Sequence, residues 1–109
     1  MRRTRLPLPL ALALLSGTVS ADPPIPGDRP PCVSVRPQVY QHTPGLFNHL
    51  VYVRNACAQA VSCEITTNAN PSPTALSVPP GREEMANTFL NSPAPMFSPR
   101  VNCELARQP

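Results

Sequence analysis

Proline is so frequent in this chain that long helices are ruled out. The chain has 17 prolines among 109 residues, and each proline removes a backbone donor and clashes with the preceding helical turn. Tryptophan is absent, and charged residues make up 14% of the sequence. This composition excludes a coiled coil, a long helical bundle and a protein with several membrane-spanning helices. The length also excludes a multidomain enzyme.

The first 21 residues have the three parts of a secretory signal peptide. Residues 2–5 include three arginines, residues 6–15 form an apolar run interrupted by two prolines, and small residues occupy positions 19 and 21. The apolar run is too short for a spanning helix, which needs about 20 residues. We therefore predict a secreted or periplasmic protein, cleaved near Ala21, with no membrane span after cleavage.

The positive charge of the chain belongs to this leader. All nine cationic residues are arginines, and three of them precede the predicted cleavage site, which leaves six arginines against six carboxylates. Binding to nucleic acid or to an anionic membrane needs a basic stripe, and the mature sequence has none. We expect no nucleic acid and no cofactor. The partner, a protein or a glycan, and the oligomeric state stay open.

The mature chain divides into a proline-rich start, a β domain and a short tail. Residues 22–31 contain five prolines and predict an extended spacer with no core of its own. Residues 32–105 carry apolar residues at alternate positions, which is typical of half-buried strands. Residues 106–109 are expected to form a flexible tail.

The β domain is predicted to contain about six short strands separated by turns rich in proline and asparagine. Pro37 places the first strand at a sheet edge, and Gln41 to Gly45 is expected to be a loop. The clearest alternation has Val61, Cys63 and Ile65 on one face. We predict an all-β fold, a small antiparallel β-sandwich of immunoglobulin-like or Greek-key type that disulfides stabilise.

Four cysteines follow the leader: Cys32, Cys57, Cys63 and Cys103. An even count in a small exported domain predicts two disulfides, and the spacings fit no zinc motif. On the chain-entropy model, Cys57–Cys63 with Cys32–Cys103 contributes roughly 6.8 kcal/mol, and Cys32–Cys57 with Cys63–Cys103 roughly 7.4 kcal/mol. Entropy therefore does not decide between them. Because Cys57 is close to Cys63 in the chain, we favour the first pairing.

No arrangement typical of catalysis is visible in the sequence. No G-x-S-x-G motif frames a serine, and two disulfides would consume the thiols that a cysteine enzyme needs. Glu83 and Glu84 are adjacent, so on a strand they point to opposite faces, while Glu64 and Glu104 are expected to face solvent. We predict that the protein is not an enzyme. A small extracellular enzyme is kept only as the second alternative.

The first alternative is metal binding. His42 and His49, with Met85 and Met96, are side chains of the type that suits copper in an oxidising compartment. A periplasmic copper- or zinc-binding protein is therefore weighed against our main prediction, a non-enzymatic binding or structural module with two disulfides.

Aromatic residues offer a candidate binding face for that module. Tyr40, Phe47 and Tyr52 could bind a sugar or a peptide if they are exposed on one surface. The sheet edges and the loops near Tyr40–His49 and Pro93–Phe97 are the expected contact surfaces.

Several short motifs lie between residues 48 and 105: V-Y-V-R-N-A-C, V-S-C, N-A-N-P-S-P, V-P-P-G, S-P-A and a final V-N-C. They resemble those of a group of small secreted bacterial proteins without assigned function. The motifs consist of turns, strand ends and cysteines. The resemblance therefore implies an exported, disulfide-containing domain and supplies no activity, cofactor or catalytic residue.

Overall fold

Six strands build the domain, as the alternating apolar pattern predicts. The computed structural model describes residues 24–106, so the predicted signal peptide and cleavage site lie outside the described residues. In chain order the strands are β1 (Val33–Thr43), β2 (Leu46–Asn55), β3 (Val61–Thr67), β4 (Thr74–Val78), β5 (Glu83–Ser92) and β6 (Pro99–Leu105). Residues 24–106 contain no helix and therefore none that could cross a membrane. The predicted all-β class is confirmed.

The strands form two antiparallel sheets of three. The first sheet has the order β1-β2-β5, and the second sheet has the order β4-β3-β6. The chain makes one hairpin in each sheet and changes sheet after β2, β4 and β5. This order matches strands A-B-E and C′-C-F of an immunoglobulin-like sandwich.

A small valine-rich core lies between the two sheets. Alternate side chains of each strand point inward, so β2 contributes Val51 and Val53 and β3 contributes Val61 and Ile65, all with at most 1% exposure. Val78 and Val101 are fully buried with them. Branched side chains suit this pleated, half-buried setting, which explains why the period-two pattern predicted these strands.

The hydrogen bonds around β1 show which of its backbone groups face away from β2. The Val33 amide donates to the Pro30 carbonyl at 3.0 Å, and the Asn55 amide donates to the Arg82 carbonyl at 2.8 Å. Val33 and Asn55 are opposite each other in the register, so this pair shares no backbone bond. Because bonded and non-bonded pairs alternate, the backbone groups of Val35, Pro37 and Val39 also point away from β2. Pro37 therefore lies at an edge, as predicted, with its missing N–H on the open side.

The disulfides join Cys32 to Cys57 and Cys63 to Cys103, so the pairing favoured from the sequence is wrong. Cys63 and Cys103 are directly opposite each other on the neighbouring strands β3 and β6. Cys32 immediately precedes β1 and Cys57 follows β2, at the same end of the first sheet. Proximity in the chain was misleading because strand pairing, which the alternating pattern does not reveal, decides which thiols meet.

The proline-rich segment contacts the domain instead of forming a spacer with no core. The amides of Val101 and Cys103 donate to the carbonyls of Pro26 (3.0 Å) and Asp28 (2.8 Å), and Ile25 packs against the core. Proline cannot donate a backbone hydrogen bond, but its carbonyl still accepts one. Residues 24–29 therefore cover the outer edge of β6, and we call them the covering segment.

Two boundaries also differ from the prediction. Strand β1 continues to Thr43 and so includes the first three residues of the expected loop, with an irregular register between Gln41 and Thr43, while Pro44 and Gly45 form a turn. Side chains on both faces are exposed there, so the run has no alternation for the sequence to show. At the other end of the chain, the Ala106 amide donates to the Ala60 carbonyl at 2.8 Å, so this first residue of the predicted tail belongs to the domain.

Candidate binding surface

The outer face of the first sheet carries two of the three aromatic residues predicted to bind a partner. The register places Arg36 opposite Tyr52 and Tyr40 opposite Asn48, and Tyr52 opposite Met85. Directly paired residues share a face. We call this surface the tyrosine face; its residues are Arg36, Gln38, Tyr40, Asn48, Leu50, Tyr52, Arg54, Glu83, Met85 and Asn87.

Phe47 does not join this face. It is opposite Gln41 on β1, one residue out of phase with Tyr40 and Tyr52, so its side chain points to the other side of the sheet. The three aromatics predicted as one surface are therefore divided between two faces, since an odd spacing along a strand reverses the direction of a side chain.

Arg36 is held against the tyrosine face by three contacts. Its guanidinium carbon lies 4.0 Å from the centre of the Tyr52 ring, within the range of a cation–π interaction. One terminal nitrogen, Nη1, donates to Gln38 Oε1 at 3.1 Å, and Nη2 lies 3.7 Å from Glu83 Oε1. These contacts restrict the arginine before any partner arrives, which lowers the entropy lost on binding.

Apolar area is exposed beside this arginine. Tyr40 is 53% exposed and Met85 is 41% exposed, whereas Leu50, on the same face, is only 8% exposed. Tyrosine, methionine and arginine are the side chains enriched in protein–protein interfaces. The sequence indicates the tyrosines but not Arg36, because no spacing rule indicates which arginine will lie opposite a tyrosine on the next strand.

The outer face of the second sheet is different in character. Asp28, Glu64 and Glu104 line a shallow depression of about 390 Å³ with small polar residues beside them. Glu64 and Glu104 are exposed, as predicted. The residues that line this depression include acidic side chains but none of the aromatic or methionine side chains found on the tyrosine face. Substitutions here can therefore serve as controls for substitutions on the tyrosine face.

The two histidines proposed as metal ligands have separate partners. His42 Nε2 is 2.6 Å from Asn91 Oδ1 and its Nδ1 is 3.0 Å from Thr43 Oγ1. His49 is fully buried; its Nε2 donates to the Ala94 carbonyl at 2.9 Å. Within residues 24–106, no group of three or more His, Cys, Asp or Glu side chains is placed to hold a metal ion.

His49 instead supports the connection between β5 and β6. Its ring stacks on Phe97, with centroids 4.4 Å apart and planes 9° apart. The Thr88 hydroxyl donates to the His49 carbonyl at 3.0 Å. Of the two methionines proposed as ligands, Met85 lies on the tyrosine face and Met96 is 80% exposed in the β5–β6 connection. Neither methionine takes part in the stacking of His49 on Phe97, so the burial of His49 is explained by packing and not by a metal site.

The fold and this surface define a small, disulfide-containing all-β domain with a flat, partly aromatic face. No protein-family model matches the chain, and no curated protein matches it by sequence.

Proposed function

We propose that the chain is a non-enzymatic binding module that works outside the cytoplasm, secreted or periplasmic, and contacts a protein partner through its tyrosine face. The leader would direct export and would be cleaved near Ala21. The two disulfides support this location because such bonds persist in oxidising compartments. The observation that carries the proposal is Arg36, stacked on Tyr52 beside the exposed side chains of Tyr40 and Met85.

A protein partner fits this face better than a glycan. Sugar rings bind by stacking on a free aromatic face, and the guanidinium of Arg36 already covers one face of Tyr52. The ring of Tyr40 also has an aromatic neighbour already, because it lies 6.2 Å from the His42 ring at an interplanar angle of 19°. A planar arginine fork, by contrast, is suited to a carboxylate or carbonyl of a protein partner. Arg54 adds a second, exposed cation to the face.

The test compares two faces of the same protein. Mature protein with both Tyr40→Ser and Met85→Ser is used beside wild type to capture partners from the envelope fraction and the medium of the native host. A Glu64→Gln/Glu104→Gln variant is the matched control, because it alters the opposite sheet and leaves the tyrosine face intact. Both variants change exposed side chains, so both are expected to fold.

We expect one protein to be captured by wild type and by the control but not by the Tyr40→Ser/Met85→Ser variant. With that partner purified, calorimetry should show at least tenfold weaker binding for the tyrosine-face variant and less than twofold for the control. Equal capture by all three forms would contradict the use of this face. N-terminal sequencing of the exported protein tests the proposed cleavage site independently.

A further inference from the structure

An apolar groove runs between the free edge of β1 and the covering segment, away from the tyrosine face. Its walls are formed by Ile25 and Pro26 on one side and Val35 and Pro37 on the other, with Phe97 and Pro99 between them. The groove has a volume of about 570 Å³. A second depression of about 170 Å³ shares Pro37 and Phe97 and extends it to Val39.

Free backbone groups border this groove. The N–H and C=O groups of Val35 and Val39 point away from β2, and within residues 24–106 neither residue has a backbone partner on that side. An unpaired strand edge of this kind is a template for pairing with another extended chain. An acyl chain could fill the apolar space, but a peptide could in addition form main-chain hydrogen bonds with several residues along this edge.

The charge in the groove indicates which charge a ligand would carry. Among the residues that the structure describes, Arg29 is the one charged residue that lines it. Its guanidinium donates to the carbonyls of Val101 and Ile25, both at 2.9 Å. These partners are neutral, so the cation is not compensated by a carboxylate in the groove wall. A ligand with a carboxylate near this end would complement the charge.

We propose that this groove binds an extended peptide strand of a partner protein, with apolar side chains at alternate positions and a carboxylate near Arg29. The strand adds to the free edge of β1 and inserts every second side chain between the two sheets. Pro37 offers no N–H, so bonding is confined to its carbonyl and to the backbone groups of Val35 and Val39. This limits the affinity and makes the docking reversible. The inference does not depend on the tyrosine face.

The test uses a defined probe, a soluble nine-residue peptide in which valine alternates with threonine and one end carries glutamate. Calorimetry with the full mature protein measures its binding. Two further peptides carry backbone N-methyl groups, one on the valines and one on the threonines. Both have the same added apolar surface, but in an added strand only one of the two sets of amides faces β1.

We expect one methylated peptide to bind at least tenfold more weakly than the parent and the other to bind within twofold. Val39→Pro, which removes an N–H from the β1 edge, should weaken the parent peptide at least fivefold. Ser77→Pro, at the free edge of β4, is the matched control and should leave binding unchanged. Unaltered melting temperatures would show that both variants fold.

Several results would overturn the proposal. They are no binding at 1 mM peptide, equal effects of the two methylation patterns, or full binding by the Val39→Pro variant. Dodecanoate that displaces the peptide and binds the Val39→Pro variant normally would identify the groove as an acyl-chain site instead. A dimer in sedimentation that the Val39→Pro variant does not form, together with no binding of the peptide, would identify a second copy of the chain as the occupant.

Discussion

His42 and His49 lie on neighbouring strands but contribute to the protein in different ways. His42 is exposed, whereas His49 has no exposed surface and stacks on Phe97. A carbonyl can only accept a hydrogen bond, so Nε2 of His49 carries a proton for Ala94, while its Nδ1 is buried without a hydrogen-bond partner. His49 is therefore a core residue that also orients the β5–β6 connection.

We expect His49→Ala to lower the free energy of unfolding by about 2–4 kcal/mol, because it removes a buried ring and leaves a cavity beside Phe97. His42→Ala should cost less than about 1 kcal/mol, since its hydrogen bonds are exposed to water. Urea denaturation of both variants measures the difference. Similar losses for the two would show that His49 does not have this buried role.

Asn55 is the second polar residue on which the core depends. It is fully buried; its Nδ2 donates to the carbonyls of Gln59 and Val78, and its Oδ1 accepts from the Cys57 amide, at 2.8–2.9 Å. One side chain thus satisfies two backbone groups in the turn between β2 and β3 and a third at the end of β4.

Asn55→Ala should therefore lower the free energy of unfolding by about 2–4 kcal/mol, because three backbone groups lose their partners. Asn87→Ala, at an exposed position, should change it by less than about 0.5 kcal/mol. Thermal and urea unfolding followed by circular dichroism provide both values. A loss below 1 kcal/mol at position 55 would contradict this explanation.

Among the elements, the covering segment is the one whose placement the sequence obscures. Its prolines predicted an extended chain with no core of its own. However, composition does not show that β6 would present two outward amides at the spacing of the carbonyls of Pro26 and Asp28. Gly27 makes this approach possible, with φ of +127° and a position where a Cβ atom would overlap the Val101 backbone.

Gly27→Ala should detach the covering segment from β6 while the disulfides keep the strands paired. We expect hydrogen exchange of the Val101 and Cys103 amides to accelerate at least tenfold. Gly81→Ala is a matched control, because Gly81 also has a positive φ, of +75°, but no atom within 4 Å of its Cβ position. Equal acceleration in both variants would mean that backbone strain, not the contact with Val101, explains the effect.

The strands themselves were predictable where one face is buried. The alternation from Val61 to Ile65 predicted β3 with the correct inward face. In β5, register shifts around His49 interrupt the pairing with β2, and Leu90 is exposed although it is two residues from the buried Thr88. An irregular register has no clear sequence signature, so the facing of residues beyond it could not be predicted.

At the scale of the whole molecule, each disulfide lies within a sheet, and neither connects the two sheets. Cys32–Cys57 closes one end of the first sheet, and Cys63–Cys103 joins neighbouring strands of the second. The prediction that two disulfides stabilise the domain is confirmed, but the sheets are held face to face by the valine-rich core and the chain connections. The tyrosine face could be predicted only in part, because its composition depends on which strands pair.

We expect the replacement of Cys63 and Cys103 by alanine to cost about 4 kcal/mol and that of Cys32 and Cys57 about 3.5 kcal/mol. Each loss is a large fraction of the stability of a small domain. Denaturant unfolding measures both. The pairing is checked by digestion without reduction, using an enzyme that cleaves after Ala58 or Ala60 and so separates Cys57 from Cys63. A fragment linking Cys32 to Cys103 would contradict the structure.

The two bridged loops, with sequence separations of 25 and 40, do not overlap. In covalent terms the oxidised chain consists of two rings joined by the short link between Cys57 and Cys63. If such a chain is pulled at residues 24 and 106, the distance between these residues reaches about 70 Å when all the strands are lost. After reduction of the disulfides the same distance reaches about 300 Å. Tension applied to the ends of the domain can thus lengthen it only slightly until a thiol reagent opens the rings.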